Sequence, residues 1–144
     1  MIGKWIGTYS YSSQVMRKLI PNAEVSFEIN IDKFDVNNFN GTVKDDPSTG
    51  GTPGIGVITG KIIGNKIEFI KKMPIRSSYL TTGDYLVESG KKHTPIYYSG
   101  VLGLNKKEAK GEWRIKMGLM LVGFLPILRL PTRGEWSMIF QGKS

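Results

Sequence analysis

Apolar and polar residues alternate in twos along most of this chain. Val25, Phe27, Ile29 and Ile31 fall on one side of a two-residue repeat, and Glu24, Ser26, Glu28, Asn30 and Asp32 on the other. That is the pattern of a strand with one face on a core and one in water, so Ala23 to Lys33 is predicted to be extended. The same alternation starts from each tryptophan: Trp5, Gly7, Tyr9, Tyr11; Trp113, Ile115, Met117; Trp136, Met138, Phe140. Glu112, Arg114 and Lys116 interleave with the second set, and Glu135 and Ser137 with the third. A Gly-Glu-Trp triplet occurs twice, at Gly111-Glu112-Trp113 and Gly134-Glu135-Trp136, and Gly3-Lys4-Trp5 is close to it. First and last strands with matching faces imply a sheet closed on itself, which removes unpaired edges. The expected fold is all-β: a single antiparallel up-and-down barrel of about eight to ten strands spanning residues 1 to 144, with its ends adjacent.

Turn chemistry divides the pattern further. Gly3 to Ser13 is the first strand, and Gln14 to Asn22, with Pro21, a loop or short helical turn. Val36-Asn37-Asn38 turns the chain into a returning strand at Phe39 to Val43. Asp45 to Gly54 has the composition of a flexible loop, so solvation explains Asp45-Asp46 better than acid-base work does. Gly64-Asn65 is a two-residue hairpin turn of the primed kind, which sets Lys61 opposite Glu68, Ile62 opposite Ile67 and Gly60 opposite Phe69. Lys71 to Thr94 reads as an irregular connection with one more strand around Tyr79 or from Tyr85 to Val87. Pro95 to Leu104 and Ala109 to Met117 are strands joined by Asn105-Lys106-Lys107.

From Met117 to Leu128 every residue is apolar, glycine or proline. Met120, Val122 and Phe124 take the positions that Arg114 and Lys116 held on the outer face, so both faces are apolar and the segment is expected to meet another surface. The barrel itself and a second subunit are the leading options, with a homodimer preferred. A membrane ranks last, because the segment lacks the lysine-rich face of an interfacial helix and Pro126 interrupts it.

The net charge of +8 is uneven: residues 1 to 60 carry five basic and six acidic groups, leaving +9 for residues 61 to 144. Lys91, Lys92, Lys106, Lys107 and Lys110 could attract an acidic partner, but no nucleic-acid motif accompanies them. With no cysteine and one histidine, thiol chemistry and multi-histidine metal sites are excluded by count. His93 sits between Lys92 and Thr94 in a predicted loop and reads as exposed and inert; neither a metal nor a cofactor is expected. There is no Gly-x-Ser-x-Gly, and Gly54-x-Gly56 lacks the remainder of a dinucleotide motif, so catalytic residues are not assigned and an enzyme is the lesser expectation. The chain as given shows no charged leader with an apolar stretch and reads as cytoplasmic.

The motif order resembles the calycin group of small barrels, which holds the lipocalin, fatty-acid-binding and avidin families. Gly3-Lys4-Trp5 matches the Gly-x-Trp that opens lipocalins and avidins. Asn40-Gly41-Thr42-Val43, Ile58-Thr59-Gly60-Lys61, Tyr98-Ser99-Gly100 and Glu112-Trp113 resemble successive strands of the avidin branch. The resemblance implies an up-and-down barrel. It does not carry biotin over, since the family's contact tyrosine falls on Val43, a tryptophan on Tyr98 and an aspartate on or next to Trp136; Trp113 alone matches. The expected function is non-enzymatic binding of a small apolar or aromatic molecule inside the barrel, lined by Trp5, Tyr9, Tyr11, Phe27, Phe69, Tyr98, Trp113 and Trp136. The alternative is an interaction module with a packed interior, using its basic surface or residues 117 to 128.

Overall fold

A computed structural model describes residues 1–12, 24–73, 76–79, 85–88, 95–115, 118–122, 125–129 and 132–143, with side chains described for 1–12, 24–73, 95–115 and 133–143. Among the described residues twelve strands follow one another: β1 (Gly3–Tyr11), β2 (Val25–Asp35), β3 (Asn38–Asp45), β4 (Ile55–Ile63), β5 (Lys66–Lys72), β6 (Arg76–Tyr79), β7 (Tyr85–Glu88), β8 (Ile96–Leu102), β9 (Glu108–Ile115), β10 (Gly118–Val122), β11 (Leu125–Arg129) and β12 (Thr132–Gly142). Eight of them close into an antiparallel barrel in the order β1-β12-β9-β8-β5-β4-β3-β2. The expected all-β, up-and-down barrel is therefore present, and its first and last strands pair with each other from Lys4 to Tyr11. No helix among the described residues is long and apolar enough to cross a membrane.

The interior is the alternating face predicted from sequence. Trp5, Val25, Phe27, Ile29, Ile31, Phe69, Trp113, Trp136 and Met138 are all buried. The β4–β5 hairpin has the expected register, with Lys61 opposite Glu68, Ile62 opposite Ile67 and Gly60 opposite Phe69. Gly64 takes a φ of 62° while Asn65 keeps a negative one, the primed turn in which glycine stands first. The surface pair itself is loose at 3.9 Å and exposed, so the apolar pairs set the register.

The two Gly-Glu-Trp triplets lie side by side and pair reciprocally: Gly134 opposite Trp113, Glu135 opposite Glu112, and Trp136 opposite Gly111. Gly134 leaves room for the Trp113 indole, and Gly111 for the close approach of the Ser99 and Gly100 backbone. A Cβ on Gly134 would collide with the Ser10 carbonyl oxygen and come within 2.7 Å of the Trp113 indole nitrogen. The repeat is thus a packing device that lets neighbouring strands approach closely.

The barrel's ends differ. Since neighbours alternate in direction, β1, β3, β5 and β9 all run toward one end, here called the upper end. The connections leaving it are long: 12–24, 46–54, 73–95 with β6 and β7, and 116–131 with β10 and β11. The opposite end has only 36–37, 64–65 and 103–107, besides the two chain termini. Short turns join the strands at one end, and the long connections leave from the other.

Three expectations change here. Residues 45–54 are not a free loop: Asp45 ends β3 and is buried, and Pro47–Thr49 form a 3-10 turn capped by the Asp46 carboxylate on the Ser48 amide. That turn is tied to β2, because the Asp46 amide donates to the Ser26 carbonyl at 2.8 Å and the Ser26 amide to the Thr49 hydroxyl at 3.0 Å. Nor does an irregular connection begin at Lys71, which lies within β5. Finally, β9 is described as far as Ile115, and Met120 and Val122 belong to a separate two-stranded sheet, β10 with β11, in which Met120 pairs with Ile127 and Val122 with Leu125. Composition concealed the β10–β11 reversal, since an unbroken apolar run marks no turn. Phe124, Lys91, Lys92 and His93 lie outside the described residues.

Candidate functional site

Four polar side chains meet inside the upper end of the barrel. The alternation of β5 carries Ile67, Phe69 and then Lys71 inward, and that of β3 carries Phe39, Val43 and then Asp45 inward. The Lys71 ammonium donates to both carboxylate oxygens of Asp45, at 2.6 and 2.7 Å. Both side chains are 2% exposed. From β1, the Tyr9 hydroxyl donates to Asp45 Oδ2 at 3.2 Å. The Lys71 Nζ also lies 4.8 Å from the centre of the Tyr9 ring and 5.8 Å from that of Tyr98 on β8, so its charge is shared between a carboxylate and two aromatic faces.

Burial pushes both tyrosine hydroxyls well above their ordinary value near 10, and the Asp45 carboxylate adds to this in each case. At neutral pH they are therefore protonated donors. Tyr9 spends its proton on Asp45; the Tyr98 hydroxyl makes no hydrogen bond to any described residue.

Around this cluster stand the aromatic residues predicted to line the interior. Tyr9, Tyr11 and Trp113 form one group of edge contacts, with Trp113 5.6 Å from Tyr9 and 5.1 Å from Tyr11, and Phe27 lies 6.2 Å from Tyr9. Phe69 stacks on Tyr98 at 4.6 Å, and Trp136 meets both edge-on. The structure thus brings together Tyr9, Tyr11, Phe27, Trp113 and, beside them, Phe69, Tyr98 and Trp136. Tyr11 is only half-buried. Trp5 is set apart, its ring packed on Phe140 and its indole N–H bonded to the Met1 carbonyl at the end with the short turns.

All three indole N–H groups are engaged by backbone carbonyls: Trp5 on Met1, Trp113 on Ser10, and Trp136 on Ser99 and Glu112. The tryptophans can offer a ligand only their faces. Polar recognition inside the barrel rests on the cluster, in which Tyr9 and Tyr98 are expected from sequence and Asp45 and Lys71 are not. The signal for both was the alternation itself, carried one position further along β3 and β5.

The outer face bears two open grooves of about 730 and 970 Å3. Both run across the strands, over the inward glycines Gly100 and Gly111 in the smaller and Gly60 and Gly134 in the larger. Their walls are outward polar side chains such as Glu68, Ser99, Glu112 and Glu135, and the Arg114 guanidinium lies 5.8 Å from the Tyr97 ring beside them. Among the described residues no group of three histidine, cysteine, aspartate or glutamate side chains could hold a metal ion.

The topology is consistent with calycin-type barrels in general, and nothing in it singles out the avidin branch. No protein-family model, no curated protein and no solved structure matches the chain.

Proposed function

We propose that this barrel is a non-enzymatic binding protein that takes a small, mostly apolar or aromatic molecule into its upper end, against Tyr9, Tyr11, Tyr98 and Trp113. The observation that carries this reading is the Lys71–Asp45 pair, buried inside the barrel beneath the end where the long connections gather. A core built for stability alone has no need of it, because desolvating two charges costs about as much as their attraction returns. Groups that break the apolar rule of a core at such cost concentrate at functional sites. The aromatic faces beside the pair supply the apolar contact that binds a small molecule, and the polar groups fix its orientation.

A second reading, assembly with another copy of the chain, is favoured by the β10–β11 hairpin. All residues from Gly118 to Leu128 are apolar, glycine or proline, and among the described residues the two strands pair only with each other. Native mass spectrometry of freshly purified protein tests both. The ligand reading expects bound mass above that of the bare chain, or uptake of added pyrene where the protein emerges empty; a bare chain that takes up no pyrene contradicts it. The assembly reading expects a dimer that Met120→Asp splits, and a wild-type monomer ends it.

A further inference from the structure

Within the ligand-binding reading, the hydrogen-bond inventory of the cluster narrows the chemistry of the guest. Both carboxylate oxygens are engaged: Asp45 Oδ1 receives Lys71, and Oδ2 receives both Lys71 and Tyr9. The donors are less fully used. An ammonium carries three N–H bonds. Those of Lys71 that do not reach Asp45 face the Tyr9 and Tyr98 rings, with no other described acceptor. The Tyr98 hydroxyl, in a side chain only 3% exposed, likewise has no described partner. A donor with hydrogen-bonding capacity to spare favours a guest that brings an acceptor to it.

Charge sets the second condition. Lys71 and Asp45 together are neutral, and the surrounding side chains are aromatic. A carboxylate or sulfonate guest would bring an uncompensated charge into this setting and would stand against Asp45. An ammonium guest would meet Lys71 and find the carboxylate already taken. The geometry points to a head-group subsite, formed by the Tyr98 hydroxyl and the Lys71 ammonium, for a neutral ligand that carries a hydrogen-bond acceptor such as a ketone or amide carbonyl on an apolar or aromatic body. Phe69, stacked on Tyr98, and Trp136, set against its edge, hold the phenol in place for that contact.

This inference rests on the proposed function, and the test separates the two. Two probes are titrated by fluorescence: Nile red, a neutral fused-ring dye with an exposed carbonyl, and pyrene, an aromatic of related size with no acceptor. Each is added to the wild type and to Tyr98→Phe. The substitution keeps the ring and its stacking and deletes a hydroxyl without a described partner, so the melting temperature should hold. Nile red is expected to bind the wild type and to weaken about tenfold on Tyr98→Phe, the worth of one good buried hydrogen bond. Its emission should also shift to the blue as the carbonyl loses its donor, while pyrene affinity stays within about twofold. If both probes bind the wild type and Tyr98→Phe changes them equally or not at all, the head-group subsite is overturned and the binding barrel stands. If neither probe binds, the binding function itself fails, and the subsite with it.

Discussion

Lys71→Met should destabilise the barrel by about 3–5 kcal/mol, the cost of leaving one member of a buried ion pair without its partner. Methionine fills nearly the same volume, so the loss is not one of packing. It comes from Asp45, whose carboxylate would keep only the Tyr9 hydroxyl at 3.2 Å in a setting closed to water. Adding Asp45→Asn should return more than half of that loss, because a neutral amide still accepts from Tyr9 and no longer needs a counter-charge. Urea unfolding followed by the fluorescence of the three buried tryptophans measures both variants. A Lys71→Met cost below about 1 kcal/mol would mean that the pair behaves as an exposed one does. An additive loss in the double variant would mean that Lys71 and Asp45 act independently.

Gly134→Ala should cost about 3 kcal/mol, the upper part of the range for overpacking a core. The added methyl would strike the Ser10 carbonyl, and that oxygen is the one that accepts the Trp113 indole N–H at 3.0 Å. The strand cannot move away, since β12 is held between β1 and β9. One methyl therefore disturbs two strand ladders and one buried hydrogen bond together. Gly64→Ala is the natural comparison: nothing lies within 4 Å of its Cβ, so only the left-handed backbone at φ 62° opposes it, at about 1 kcal/mol. Equal effects at the two positions in thermal unfolding would show that the close approach at Gly134 relaxes at no cost.

Much of the barrel was legible in the sequence because its core obeys one rule. A period of two places Val25, Phe27, Ile29 and Ile31 inside, and the Gly64-Asn65 turn fixes its hairpin register. The Gly-Glu-Trp repeat announced matched strands, and they pair with each other directly. The centre of the candidate site was hidden for the opposite reason. Asp45 and Lys71 lie at inward positions but carry the charges expected of a loop, and next to Asp46-Pro47 and Lys72 they read as ends of strands rather than as core. A pair separated by 26 residues is visible only when the barrel closes and sets the inner faces of β3 and β5 toward each other across β4. The long connections resisted for a simpler reason, since their composition mixes turn residues with apolar runs and no single period governs them.

A guest of this barrel should enter it and reach the cluster instead of resting in the grooves outside. An isotope-filtered nuclear Overhauser spectrum of labelled protein with unlabelled pyrene reads this directly. Contacts are expected from pyrene to the ring protons of Tyr9, Tyr98 and Trp113, all on the inner face. Contacts confined to Tyr97 and Val101, on the outer face of β8, would contradict it.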